Sequence, residues 1–452
     1  MIIAMKLFRV TILFLLSMLF IPSEGEELSK AFRDSLALHS KLTSRAIGNA
    51  RTINISEARK HVNRLLFLAD SLQQPMAEYY ALAGQVEDMS FNYERNKPAT
   101  GGKTNEKECL SAAKKCYLYN QKAYNDFQSN PDAYNKKSLK VVPTLQQKAL
   151  SYYLLTKGFQ VNAGQSFKEK KLEQSLEEFL MSFNGSQSPF LLDVYQKDSV
   201  TYKGFATYLA DSTQCRTLSN CASITTALAR YDESLAYYDS LKTRQYQPDK
   251  VYRSTVSIYA TLADTLAMKK ELRSAIEVIP EDTWFQKNLL QLHIDKHEWD
   301  TAKVVADRII ELDSTDVLVM NIVGQLHEIE EHPFEALQIY LKSYALDSMQ
   351  MDVCSHIGRI YYNRVVQTKE KLFNQRKTNQ YYSKLTPLYD QAADWYDRAY
   401  ELDTERKDPT IAQALREMLY FHFTQTRCPN RAELIARYNE ISRNYGLNEF
   451  GS

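Results

Sequence analysis

The chain has 452 residues, with 56 basic and 55 acidic side chains and a formal net charge of +1. Its 13 glycines and 12 prolines are too few for the many tight turns of an all-β protein. An apolar share of 44% excludes a disordered chain, and the balanced charge argues against a dedicated nucleic-acid binder.

At the front, Lys6 and Arg9 precede an apolar run over residues 10–21 that Pro22 ends. The run is too short to cross a bilayer core of about 30 Å as a helix. A charged start, a short apolar segment and the small residues Ser23 and Gly25 fit a secretory signal cleaved before Glu26. Residues 1–25 are therefore expected to be a signal peptide. The mature protein is expected to be periplasmic, with no membrane span and, lacking a cysteine after the apolar run, no lipid anchor.

Residues 26–190 read as irregular helical repeats. A helix is predicted over 56–69, and Tyr80, Ala83 and Gly84 open the next. Residues 97–142 contain Pro98, Gly101, Gly102 and Pro131, and read as loops around one helix over 106–127. Leu172, Ser175 and Phe179 hold repeat-like positions in a later helix, and Tyr231 to Tyr238 read as the second helix of a unit that begins near Cys215.

From residue 191 to 350 the repeats become regular. Segments 283–316 and 317–350 are both 34 residues long and end alike, in Glu311-Leu312-Asp313-Ser314 and Ala345-Leu346-Asp347-Ser348. Each has alanine at position 20 (Ala302, Ala336), and Gly324 and Gly358 occupy position 8 of successive units. Stepping back to Asp249 places Tyr252, Tyr259, Ala275 and Pro280 at positions 4, 11, 27 and 32. Small residues at 8 and 20 let two helices approach, while larger ones at 4, 7, 11 and 24 fill the space between units. A lone hairpin of helices cannot bury its apolar faces, so such units must stack.

This pattern resembles the tetratricopeptide repeat family. The resemblance implies an all-α fold, an α-solenoid of antiparallel helix pairs. The layout also resembles periplasmic repeat proteins of the Bacteroides group, through Ala83-Gly84-Gln85-Val86-Glu87-Asp88, then Asn92-Tyr93-Glu94-Arg95-Asn96-Lys97, and Val161-Asn162-Ala163-Gly164. That second likeness implies fold and compartment, and no activity. Residues 351–406 form a unit with an elongated hairpin, because about 22 extra residues precede its Ala392, Tyr396, Ala399 signature. Its arms are expected to project, to meet near Thr378, and to attract each other. Seven cations and one anion lie between Arg359 and Lys384, against the four carboxylates Asp390, Asp394, Asp397 and Glu401. A projecting basic arm for a partner is the alternative. Residues 407–452, opening at Asp408-Pro409-Thr410, are expected to form a capping helix pair.

Six cysteines follow the leader. Cys109 and Cys116 on one helix would stand about 10 Å apart, too far to bridge. Cys215 and Cys221 can bridge only if residues 216–220 are not helical. No Cys-x-x-Cys spacing supports zinc. Gly101-Gly102-Lys103-Thr104 imitates part of a phosphate loop, but Lys97 stands where the first glycine belongs and no strand precedes it. His293 and His327 both fall on position 11, where a packed ring is expected, and His332 follows His327 by five residues rather than the four of a helical zinc motif. No catalytic residue, cofactor or metal ligand is therefore assigned.

Binding is the expected task. In stacked units the first helices line a concave groove. Its wall is expected to hold Lys250, Arg253, Ser257, Trp284, Lys287, Gln291, Asn321, Gln325, Glu328, Asp352, Ser355, Arg359 and Tyr362. Such a wall suits an extended peptide or helix of a protein partner, which makes a periplasmic interaction scaffold the leading reading. A glycan-binding, receptor-like protein of the outer membrane is the alternative, and a metal-dependent hydrolase the third. Asp-Ser or Asp-Thr pairs at Ser35, Ser71, Ser199, Ser212, Ser240, Thr265, Thr301, Ser314 and Ser348 are similar to the O-glycosylation signal of exported proteins in the same bacterial group, and equally to helix caps.

Overall fold

The computed structural model describes residues 22–47, 54–375 and 380–451, and among them no strand occurs. The expected signal peptide through residue 21 and the hairpin tip at Thr378 lie outside the described residues. The protein is all-α, built of antiparallel helix pairs joined by short turns. It divides into two compact units, residues 1–247 and 248–452.

In the first unit, α1 (Pro22–Ile47), α2 (Ile55–Ser71), α3 (Ala77–Asn96) and α4 (Glu106–Ser129) follow one another, each packed on the next or joined through a turn. Asn54 and Asn105 start α2 and α4 by accepting the N–H of Glu57 and Glu108 on their side-chain oxygens. The proline-rich stretch after α4 contributes one helical turn, α5 (Lys136–Leu139), before α6 (Val142–Leu155). Helices α7 (Gln160–Lys168), α8 (Leu172–Gln187), α9 (Pro189–Lys197), α10 (Ala206–Leu209), α11 (Asp211–Ala227) and α12 (Tyr231–Thr243) complete the unit. Its centre is aromatic: Tyr117, Tyr153, Phe159, Phe190 and Phe205 are all at most 1% exposed, with Tyr153 edge-on to Phe159 at 5.9 Å and to Phe205 at 5.6 Å. Gly158 makes this closure possible. Its φ is +59°, and a Cβ there would lie 2.6 Å from the ring of Tyr208.

Helix α11 runs unbroken through both Cys215 and Cys221, so the condition for a bridge is not met and all six cysteines are free thiols. Six helical residues separate the two by about 9 Å, beyond disulfide reach.

The second unit keeps the 34-residue register. Its pairs are α13 (Pro248–Thr261) with α14 (Thr265–Val278), α15 (Thr283–Asp295) with α16 (Trp299–Leu312), and α17 (Val317–Ile329) with α18 (Pro333–Leu346). Then come the long α19 (Met351–Asn374) with α20 (Tyr381–Leu402), and finally α21 (Pro409–Phe423) with α22 (Arg431–Asn444). Asp264, Asp282, Asp316 and Asp408 each start a helix by accepting a backbone N–H of its first turn, and Asp282 and Asp316 stand 34 residues apart.

Within each pair, positions 8 and 24 share one packing volume. Val256 and Leu272 occupy a common buried cluster, as do Leu290 and Ala306. In the next two pairs the division is extreme. Gly324 faces Tyr340 and Gly358 faces Tyr396, where an added Cβ would lie 2.5 and 2.8 Å from the ring atoms.

The hairpin differs from expectation in how it is held. Helices α19 and α20 have 24 and 22 residues against 13 or 14 in the preceding pairs. Their seam is apolar, through Val365, Leu372, Leu385, Tyr389 and Tyr396. The carboxylates of α20 turn the other way: Asp390 meets His422 of α21 at 3.2 Å, while Asp397 and Glu401 reach Arg437 of α22 at 3.7 and 3.4 Å. The expected attraction between the two arms is thus replaced by pairing with the terminal helices. These cover one flank of the hairpin, with Phe421 stacked 4.0 Å from Tyr389.

Candidate interaction surface

Position 5 of three successive first helices, expected on the groove wall, reaches forward to the residue that begins the next unit's first helix. Arg253 donates to Asp282 at 2.5 Å, Lys287 pairs with Asp316, and Asn321 donates to Gln350 at 2.6 Å. The three contacts repeat every 34 residues. Arg253 also lies over the Trp284 ring, 4.5 Å from its centroid, so these two candidates meet. Gln291 bonds Asp295 of its own helix.

One unit further, Glu328 gathers three donors: Tyr340 at 2.8 Å, His356 at 2.7 Å and Arg359 at 2.6 Å. Burial works against ionisation of Glu328, but the hydrogen bonds from His356 and Tyr340 and the charge of Arg359 hold its pKa below the ordinary glutamate value. Tyr362 donates to Glu417 at 2.5 Å; burial first, and then that carboxylate, push its phenol well above its usual pKa. Lys250, Ser257, Gln325 and Asp352 are exposed, and Ser355 is half-buried. Several residues of the predicted wall thus also clasp consecutive units.

Sequence reasoning passed over two other features. At the far end of the hairpin, Val366, Lys369, Glu370, Leu372, Phe373 and Tyr381 line a groove of about 490 Å³. Phe373 is 78% exposed and Val366 46%. Arg364, Lys369 and Lys371 lie on the same helix, and Arg364 sits 5.3 Å from the Tyr361 ring. In the first unit, a cavity of about 640 Å³ opens between α3, α4, α5 and α6, lined by apolar residues such as Leu82, Val141 and Leu145 and by Glu78, Gln85, Asn120, Lys137 and Lys148. Lys148 and Tyr152 both bond Asp88 beside it, at 2.7 Å each.

The chemistry-bearing motifs fall out as follows. Gly101 ends a 3-10 turn with φ +82° and is followed by a short irregular segment into α4. His293 is 1% exposed, its Nδ1 2.5 Å from Glu298, as expected for a packed ring. His297 holds the left-handed turn residue, φ +57°, against Trp299. His327 and His332, rejected on spacing, come together with Glu330 around the next turn. Of the nine Asp-Ser and Asp-Thr hydroxyl residues, Ser35 is half-buried and the other eight are exposed; Thr265 follows the capping Asp264.

No protein-family model and no curated protein matches the chain. Among solved structures, a crystal structure of MamA matches 44% of this chain and 93% of its own, at 12% identity and a TM-score of 0.33. YrrB, a TPR protein with an unusual peptide-binding site, matches over 43% and 88%, at 13% identity and a TM-score of 0.29. The C-terminal part of a TPR repeat-containing protein from Cytophaga hutchinsonii matches over 63% and 93%, at 12% identity and a TM-score of 0.38. At these scores the likenesses are partial.

Proposed function

We propose that the chain is a non-enzymatic, exported scaffold of tetratricopeptide-repeat type that holds an amphipathic helix of a partner protein along the α19–α20 hairpin. The observation that carries this reading is the groove around Phe373. A phenyl ring left 78% exposed beside Val366 and Tyr381 is an apolar patch of the kind that marks a protein contact. Lys369 and Glu370 line it side by side, and Arg364 and Lys371 lie on the same helix outside the lining. An apolar helix face would fill the groove while its polar flank meets Lys369 and Glu370. Export is supported by Lys6, Arg9 and the apolar run that follows.

The test compares crosslinked capture by the full chain with that by Phe373→Asp and by the double variant Lys369→Glu, Lys371→Glu. Both variants alter surface residues and are expected to change stability by no more than about 0.5 kcal/mol. Loss of the same captured protein in both supports the reading; unchanged capture by both rejects it. Lys287→Glu and Arg359→Glu are poor probes, because each breaks an ion pair with Asp316 or Glu328.

The first-unit cavity favours a second reading, a receptor for a polar ligand such as a glycan. Its amide, carboxylate and ammonium groups are those that hydrogen-bond hydroxyls. Calorimetry against oligosaccharides separates the two, with Gln85→Leu as the control that removes one exposed lining amide.

A further inference from the structure

Positions 11 and 16 of a repeat face each other across the turn between its two helices. In the 283–316 unit they are His293 and Glu298, joined at 2.5 Å, and Lys269 of the preceding helix reaches the same carboxylate at 2.8 Å. One repeat on, position 16 is His332. Two imidazoles now meet across the same turn, with ring centroids 6.3 Å apart. The carboxylate has moved back two residues to Glu330, and Lys303, the equivalent of Lys269, follows it there at 2.5 Å.

His293 Nε2 is buried without a hydrogen-bond partner, and in this next unit so is His327 Nδ1. It lies 3.7 Å from Glu330 Oε2, and His332 Nδ1 lies 3.4 Å from the same oxygen. Donor atoms of all three residues fall within 4.8 Å of one another. Around a tetrahedral ion whose ligands sit 2.0–2.1 Å away, neighbouring donors are about 3.4 Å apart. Glu330 therefore already stands near that spacing from both imidazoles, and small side-chain rotations would close the three donors into one face of such a tetrahedron. The turn also holds it in place: Glu331 is in the left-handed region at φ +62°, and Pro333 starts α18 immediately after His332.

We propose that His327, Glu330 and His332 bind a divalent ion of the zinc, cobalt and nickel class. Two imidazoles and one carboxylate suit these borderline metals. The His332 side chain is 57% exposed, so the ion enters from solvent and keeps an outward position for water or for a donor from a partner. Lys303 opposes the ion, because its ammonium occupies the carboxylate that the metal needs. Binding must displace it.

This competition gives the test its sign. Cobalt(II) is titrated into the full chain in a Cys428→Ser background, which removes the one thiol that is not buried. One equivalent is expected to develop the visible absorption of tetrahedral cobalt. His332→Ala, at an exposed position, is expected to abolish that spectrum while the far-ultraviolet circular dichroism stays unchanged. Glu330→Gln should weaken binding about tenfold or more, and Lys303→Met should strengthen it several-fold. No cobalt uptake, or a spectrum that persists in both His332→Ala and Glu330→Gln, overturns the proposal.

Discussion

Gly358 lies against Tyr396 with no space for a methyl group, since a Cβ there would sit 2.8 Å from Cδ2 of the ring. Overpacking of this kind costs about 1–3 kcal/mol. Gly358→Ala should lower stability by that amount in urea melts, and Tyr396→Leu should recover part of the loss in the double variant though it destabilises alone. Equal, additive losses would show that the two side chains do not share one volume. The glycines at position 8 were legible in the sequence because Gly324 and Gly358 are 34 apart. The compensating leucine and valine at Leu290 and Val256 were not, since their partners Ala306 and Leu272 lie sixteen residues away in a second helix. A second single-residue effect concerns Asp403, which is 5% exposed and closes α20. It accepts the N–H groups of Lys407 and Asp408 at 3.0 and 3.1 Å and the hydroxyl of Tyr445 at 2.5 Å. Burial opposes its charge, but these hydrogen bonds outweigh burial and hold the carboxyl below its ordinary pKa. A depressed carboxyl stabilises the fold above its unfolded value of about 3.9 and loses that contribution as pH falls through the folded value. Asp403→Asn should therefore cost about 2 kcal/mol at pH 7. Its deficit against the natural protein should shrink below about pH 3.9. A deficit that stays constant down to pH 3 would mean that charge is not its source.

Helix pairs connect through their starts. The N-terminal aspartates at 282 and 316 serve twice, capping their own helices and receiving Arg253 or Lys287 from the unit before. The two roles separate by substitution at Asp316. Asparagine caps as well as aspartate but carries no charge, and since the Asp316 side chain is only 7% exposed, Asp316→Asn should cost about 1–2 kcal/mol, more than an exposed ion pair does. Alanine removes both functions, and Asp316→Ala should cost about 1 kcal/mol more than asparagine does. The difference is read from urea melts of both variants. Equal losses would mean that the cap contributes nothing. Periodicity identified the face on which Arg253, Lys287 and Asn321 lie, but it carries no information about what stands one repeat ahead on that face. For this reason the clasping role of these residues is not legible in the sequence. The hairpin shows the same gap. Its opposite charges are evident along the chain, yet Arg437, which takes Asp397 and Glu401, comes from a helix whose placement the charge pattern of the hairpin does not specify.

The two units differ in how plainly the chain announces them. Residues 248–452 keep a 34-residue phase that the eye can follow. Residues 54–247 fold just as fully into helices, but their aromatic centre joins Tyr117, Tyr153, Phe190 and Phe205 from irregularly spaced segments, so no period marks it. Each unit has its own buried clusters, and in arrays of stacked helix pairs stability is largely a sum of repeats and their nearest neighbours. Unfolding should therefore proceed in more than one step. The buried thiols report on this separately. Cys221, in the first unit, is fully buried, and that burial raises its pKa to about 12; burial raises Cys354, in the second, to about 11. Unfolding returns both to about 8.5 and makes them reactive near neutral pH. Cys354 shares its cluster with Tyr396, the residue against Gly358. Pulsed thiol alkylation across a urea series, read peptide by peptide in a mass spectrometer, should give different midpoints for the two cysteines. Gly358→Ala should move the Cys354 midpoint to lower urea and leave that of Cys221 where it was. If both midpoints shift together, the chain unfolds as one cooperative body and the two units are not energetically separate.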